Sequence, residues 1–318
     1  MKDKNAVASL HSSRNSRRTL WKKAIKWPLY SVAIMPIILA AGWKHGTGEI
    51  IRIDQLLGFL LASILLLIWE NLTNDLFDAS TGIDEFKLHS VVALTGKRKL
   101  IRNLAYCMLA LGLGLILMLA LKSHFAVFLL VIGSCCLGYL YQGPPFRLGY
   151  QGWGEPLCWI AFGPLATAAA LLVLAPYSNN VNSIPWGTAI LLGAGPAVAT
   201  SLVLFCANFH QVIEDSAHGK KTLLVRIGTQ KAAELVPWFI GLSLSLECIP
   251  IFLGKWPISA FLGIIGVPPA ITLIRLLKKH HNHPTLISGS KFMALRFQAL
   301  NGIGLSLGLA LDKYLNTF

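Results

Sequence analysis

The sequence predicts an all-α integral membrane protein, a bundle of nine transmembrane helices whose N-terminus is cytoplasmic. Three observations predict it. The 318 residues are 54% hydrophobic and 13% charged at a mean hydropathy of +0.60, more apolar surface than one globular core can bury. Mostly apolar stretches of about 20 residues, the length that crosses roughly 30 Å of hydrocarbon, recur from one end to the other. When these stretches are alternated across a bilayer, 23 of the 28 Lys and Arg fall on the side of the N-terminus. That asymmetry is the positive-inside pattern, and it reads the net charge of +14 as topology rather than as a nucleic-acid footprint.

Residues 1–26 carry eight of those cations, among them Arg14, Arg17, Arg18, Lys22 and Lys23, between several serines. They predict a basic cytoplasmic arm near anionic lipid heads, with an organellar transit peptide as the alternative. From 27 to 318 the chain reads as one transmembrane domain, because no hydrophilic stretch is long enough to fold separately. The first span is 27–43. The second, 55–79, differs in running directly into polar residues. Spans at 100–121, 125–142 and 155–175 follow; the sixth, 186–209, again ends in polar residues, and 233–253, 257–277 and 297–315 complete the set. Cys107, Cys135, Cys136, Cys158, Cys206 and Cys248 all fall inside these spans without the spacing of a metal site, so they read as apolar packing residues. His280, His281 and His283 stand in "KKHHNHP", where a polar loop explains them as well as a metal site does.

The two polar span ends carry the chemistry. In "NLTNDLFDASTGID", Asn71, Asn74, Asp75 and Asp78 stand at i, i+3, i+4 and i+7, one face of a helix, with Gly82 as its stop and Asp84 in the loop beyond. Carboxylates converging at a membrane interface repel one another and lose hydration. A divalent cation removes both problems. Hard oxygen ligands of this kind suit Mg²⁺, which keeps several waters and completes its shell with substrate phosphate. A solvated helix end is the plainer explanation. "NFHQVIEDSAHG" weakens it: Asn208, Gln211, Asp215 and Gly219 repeat the steps of 3, 4 and 4 residues made by Asn71, Asn74, Asp78 and Gly82, 137 positions further on. Equivalent polar faces at one membrane surface suit a cation and diphosphate site built from duplicated halves. Lys97 and Arg98 follow the first motif, Lys220, Lys221 and Arg226 the second, and Arg147 lies between them in "YLYQGPPFRLGYQGWGE". Arg suits forked contact with phosphate oxygens, although positive-inside bias also accounts for such cations.

"NDLFDASTGID" resembles the first aspartate motif of the UbiA superfamily of intramembrane aromatic prenyltransferases. "NLTND", the Gly82 to Asp84 ending, "YQGPPFRLGYQGWGE" and "GKKTLLVRIG" are similar to its naphthoate branch, the enzymes of menaquinone and phylloquinone synthesis. Within that branch "YQGPPFRLGYQG" and "NFHQV" resemble the cyanobacterial and plastid-type members, and the likeness covers roughly residues 25–315. The resemblance implies a UbiA-type bundle in a bacterial inner or thylakoid membrane. It implies transfer of a prenyl group, phytyl in this branch, from its diphosphate to 1,4-dihydroxy-2-naphthoate or 2-carboxy-1,4-naphthoquinone, with loss of CO2. It further implies Mg²⁺ as cofactor, held by Asn74, Asp75, Asp78, Asp84 and Asp215, with Asp75, Asp78 and Asp215 as the catalytic core. The diphosphate would then meet Asn71, Asn74, Lys97, Arg98, Arg147, Asn208, Gln211, Lys221 and Arg226. Tyr139, Tyr141 and Trp69 are candidates to face an allylic cation, with ordinary packing as the alternative. Gln211 departs from the family pattern, which often has an aspartate there, and Glu214 is the neighbouring acid able to compensate. Another acceptor, such as homogentisate or chlorophyllide, is the nearer rival. A secondary transporter is the rival from another class, but its site belongs near mid-membrane rather than at a rim.

Overall fold

The computed structural model describes residues 19–21, 24, 27–82, 90–175 and 183–315. Most of the predicted basic arm, and the candidate ligand Asp84, lie outside the described residues. Within them every element is helical. In chain order the long elements are α1 (Tyr30–Gly46), α2 (Ile53–Thr81), α3 (Arg98–Lys122), α4 (Ala126–Gln142), α5 (Gly154–Val173), α6 (Trp186–Ala207), α7 (Thr229–Phe252), α8 (Ile258–His280) and α9 (Ser290–Ala310). Among the described residues seven stretches are long and apolar enough to cross a membrane; α1 and α4, at 17 residues each, are shorter. Large apolar side chains such as Leu111, Trp238, Ile249 and Phe252 point outward, a cost in water that lipid removes.

Sequence chemistry explains where these helices begin, bend and stop. α2 ends where predicted because Gly82 turns left-handed, at φ 79°, a conformation that costs glycine nothing. Pro164 offers no N–H to the helix ladder, and α5 answers with a wider turn over Ala161–Leu165. The predicted regular helix over 257–277 is instead two windings: Ile258–Gly266 is coiled tightly, and only Val267–His280, which opens on Pro268 and Pro269, is α-helical. Both prolines lack the N–H groups that would carry regular bonding back into the preceding turns.

The second motif is likewise not the continuous helix its spacing predicts. Regular winding stops at Ala207, the Asn208 N–H reaches only three residues back to the Phe205 carbonyl at 3.2 Å, and a tight turn, Phe209–Gln211, precedes the short helix Val212–Ala217. Asparagine competes with the backbone for its own hydrogen bonds, which favours such a break.

α9 packs against α1, α6 and α8, α2 against α3, and α6 against α5 and α7. Small residues bring these backbones together, the device helices use in lipid where the hydrophobic effect does not drive them. A Cβ on Gly308 would collide with the Ser259 carbonyl, and one on Gly42 with the Ser306 carbonyl. The Ser259 hydroxyl donates to the Gly308 carbonyl at 2.6 Å, and the Ser306 hydroxyl to that of Ile38 at 2.8 Å.

Candidate active site

Helices α1, α2, α4, α5 and α6, with Lys291 at the start of α9, line a cavity of about 310 Å³. Its α2 wall includes Phe59, Ser63, Leu66, Glu70, Asn74 and Asp78, steps of three and four residues that hold one helix face. At about 1.5 Å per residue, Phe59 to Asp78 spans about 28 Å, close to the thickness of the hydrocarbon layer. Asn71, Asn74, Asp75, Asp78, Gln142, Asn208, Gln211 and Lys220 line one end; Ile37, Phe59, Val131, Phe162 and Val203 line the rest.

The carboxylates of the first motif are held by backbone and side-chain donors. Asp75 is buried, and its Oδ2 accepts from the Val91 N–H at 2.9 Å, at the start of the short helix Val91–Thr95. Asp78 Oδ1 accepts from the Gln142 amide, at the end of α4, and from the Tyr150 hydroxyl at 3.3 Å. That hydroxyl is also 3.1 Å from the Thr81 hydroxyl. Burial pushes the Tyr150 hydroxyl up to about 12, so it faces Asp78 as a neutral donor.

The second motif meets the first through the same tyrosine. Asp215 is fully buried, with Lys220 Nζ 3.2 Å from its Oδ1. Lys220 Nζ lies 5.4 Å from the Tyr150 ring centroid and the Arg147 guanidinium 5.6 Å from it, both at cation–π range. The Lys221 N–H donates to the Tyr150 carbonyl at 2.7 Å, and the Arg226 guanidinium donates to the carbonyls of Gln151 and Lys221 at 2.7 and 3.0 Å. Gly219, at φ 73°, reproduces the left-handed stop of Gly82, and a Cβ on Gly82 would lie 3.9 Å from the His218 ring. The two motif ends therefore adjoin, with the Tyr150 loop as their clamp.

Of the residues singled out from sequence, Asn71, Asn74, Asp75, Asp78, Asn208 and Gln211 line the cavity, and Asp215 reaches it through Lys220. Lys97 and Arg98 are exposed at the start of α3, away from the lining. Lys221 and Arg226 are exposed and tie down the loop, while Arg147 is half-buried beside Tyr150. Glu214 is half-buried and outside the lining. Trp69 and Tyr141 line the cavity; Tyr139 instead donates its hydroxyl to the Pro144 carbonyl at 2.9 Å. All six cysteines are free, with Cys135 and Cys158 in the cavity wall. Sequence reasoning missed Gln142, Tyr150, Glu70, His210 and Lys291, which carry no motif spacing, and saw in Lys220 only a cation near the motif.

Among the described residues no three His, Cys, Asp or Glu side chains gather closely enough to form a ready metal shell. The donor set nevertheless fits Mg²⁺, which needs few protein ligands. Asp75, Asp78, Asn71, Asn74, Asn208 and Gln211 line one polar chamber, and behind Lys220 the Asp215 Oδ2 is buried with no hydrogen-bond donor among the described residues.

The chain belongs to the UbiA prenyltransferase family, whose pattern it matches over residues 31–295, and it is a multi-pass membrane protein. It is 37% identical over 301 residues, 93% of this chain and 95% of the relative, to the 2-carboxy-1,4-naphthoquinone phytyltransferase of Synechocystis sp.. It is 39% identical over 299 residues, 93% of this chain and 78% of the relative, to the chloroplastic 2-carboxy-1,4-naphthoquinone phytyltransferase of Arabidopsis thaliana. The 1,4-dihydroxy-2-naphthoate octaprenyltransferase of Mycobacterium tuberculosis is 29% identical over 252 residues, 75% of this chain and 79% of that protein. A solved structure concerned with digeranylgeranylglyceryl phosphate synthase shares the fold, with a TM-score of 0.57 at 18% identity over 93% of this chain and 99% of that one.

Proposed function

We propose that the protein transfers a phytyl group, or a related prenyl group, from its diphosphate to 1,4-dihydroxy-2-naphthoate, with loss of CO2. The observation that carries this is a single cavity with a carboxylate, amide and lysine end and an apolar length of membrane thickness. Such a shape suits a ligand with an anionic head and a long hydrocarbon tail. The phytyltransferase relatives from a cyanobacterium and a chloroplast support the substrate pair, and support a thylakoid or bacterial inner membrane as its place. Nine spans, with residues 27–318 as one catalytic unit and the N-terminus in the cytoplasm, agree with the charge asymmetry and with the position of α1 and α4 inside the bundle.

Asp75, Asp78 and Asp215, with Asn74 and with Asp84 two positions past Gly82 in the sequence, would hold Mg²⁺ at the polar end. When bound it neutralises the diphosphate and so assists cleavage of the allylic C–O bond. Asn71, Asn208 and Gln211 offer amide contacts to the same head, and Lys220 and Arg147 bring positive charge to it. Lys97, Arg98, Lys221 and Arg226 act from the rim, the last two by fixing the clamp loop. Gln142 and Tyr150 orient Asp78, as outer hydrogen bonds orient metal ligands generally. The apolar walls exclude water that would quench the allylic cation before the ring attacks.

Incubating membranes that contain the protein with Mg²⁺, 1,4-dihydroxy-2-naphthoate and a panel of prenyl diphosphates tests the proposal by product mass. A prenylated, decarboxylated naphthoquinol, most abundant with phytyl diphosphate, is expected. Product formed only with a different aromatic acceptor would overturn the assignment.

A further inference from the structure

We infer that Glu70 binds the ring hydroxyl of the aromatic acceptor and holds its proton while the new carbon–carbon bond forms, an inference that rests on the prenyl transfer proposed above. Glu70 interrupts the apolar run "LLASILLLIWE" and is the only acid on α2 between Asp54 and Asp75. It lies on the cavity wall, five residues before Asp75 and so about 7 Å deeper along the helix. Among the described residues nothing donates a hydrogen bond to its carboxyl and no cation pairs with it; beyond the helix ladder only its backbone carbonyl is engaged, by the Thr73 hydroxyl.

The carboxyl faces Gly138 of α4 across the cavity: a Cβ there would make ordinary contact, 3.6 Å from Glu70 Oε1. Cys135 and Cys158 line the cavity within electrostatic reach of that carboxyl. A carboxyl among such neighbours is costly unless something donates to it, and the cavity is the direction from which a donor comes. The position also fits the reaction. The diphosphate head sits with the motif acids and the allylic carbon adjoins it, so the ring attacking that carbon lies one step deeper, at the level of Glu70.

In the step itself, the allylic C–O bond breaks with its electron pair leaving on the diphosphate. A ring π pair forms the bond between the allylic carbon and the carboxyl-bearing carbon, and the proton of the neighbouring hydroxyl passes to Glu70, leaving a ring ketone. The bond to the carboxylate then breaks, CO2 departs, its electron pair enters the ring as an enolate, and the enolate oxygen recovers the proton from Glu70. The side chain ends as it began, and no further reactant is needed.

Binding and turnover together test this. Quenching of tryptophan fluorescence, Trp69 being in the cavity wall, reports the affinity of detergent-solubilised protein for 1,4-dihydroxy-2-naphthoate and for its di-O-methyl ether. The parent should prefer the hydroxyl form by about tenfold, and Glu70→Leu should lose that preference. Glu70→Gln, matched in size should leucine not fold, should keep both KM values within about threefold while kcat falls about 100-fold. Equal preference in parent and Glu70→Leu, or a Glu70→Gln kcat within about threefold of the parent, overturns the inference. A parent that shows the preference yet forms no product supports the hydroxyl contact and sinks the prenyl transfer instead.

Discussion

Tyr150 carries no charge, yet it touches both halves of the site: its hydroxyl meets Asp78, its carbonyl holds Lys221, and its ring lies within cation–π range of Lys220 and Arg147. Tyr150→Phe should therefore weaken apparent Mg²⁺ affinity by about 10–100-fold, seen as a shift of the Mg²⁺ titration with turnover at saturation largely kept. Arg147 is the non-glycine residue with a positive φ, 43°, among the described residues. That conformation costs about 1–2 kcal/mol, which its side chain must offset through function. Arg147→Gly should accordingly raise thermal stability while raising KM for the prenyl diphosphate; a variant less stable than the parent would count against a strained, functional arginine. Lys220→Met leaves Asp215 buried without its partner, and should cost about 3–5 kcal/mol in unfolding measurements. At this scale charge was the legible signal. Arg147 stood out in "YQGPPFRLGYQG" for its cation, whereas Tyr150 and Gln142, 72 and 64 positions from Asp78, reach it only through folding.

At the scale of elements, a helix face was legible wherever the helix stayed regular. The i, i+3, i+4, i+7 spacing of Asn71, Asn74, Asp75 and Asp78 places all four in the cavity because α2 runs unbroken to Gly82. The same arithmetic overreached on α6, where the break at Asn208 redirects the chain: Asn208 and Gln211 still face the cavity, but Asp215 arrives on a separate short helix and is turned toward Lys220. Repeated spacing reveals that two segments are alike; only packing decides where each turns. The α1, α8 and α9 contacts were equally hidden, since glycines in an apolar run do not announce which backbone they approach. Gly308→Val should destabilise the α8 and α9 pair by about 1–3 kcal/mol through overpacking, measured as earlier thermal unfolding in detergent. Gly187, whose Cβ would meet nothing within 4 Å, provides the comparison and should tolerate valine's bulk.

At the scale of the whole molecule, the asymmetry of Lys and Arg predicts a cytoplasmic face, and the two aspartate motifs end beside one another, as that reading expects of helix ends at one membrane surface. A reporter after Phe318 should accordingly stand opposite the cytoplasm, whereas tags within 85–95 and 280–290 should be cytoplasmic; a C-terminal reporter on the cytoplasmic side would change the number of crossings by one. What no linear pattern contained is the cavity, because its walls come from α1, α2, α4, α5 and α6, with Lys291 of α9, which converge only in the bundle. The proposal that two motifs 137 residues apart serve one diphosphate can be read directly from binding. An unreactive prenyl thiolodiphosphate is titrated calorimetrically, with Mg²⁺ present, into the parent, Asp78→Asn, Asp215→Asn and the double variant. Either single substitution should weaken binding by more than about tenfold, and the double should be no weaker than the worse single, because groups acting on one ligand are not additive. Asp215→Asn binding as tightly as the parent would separate the second motif from the site.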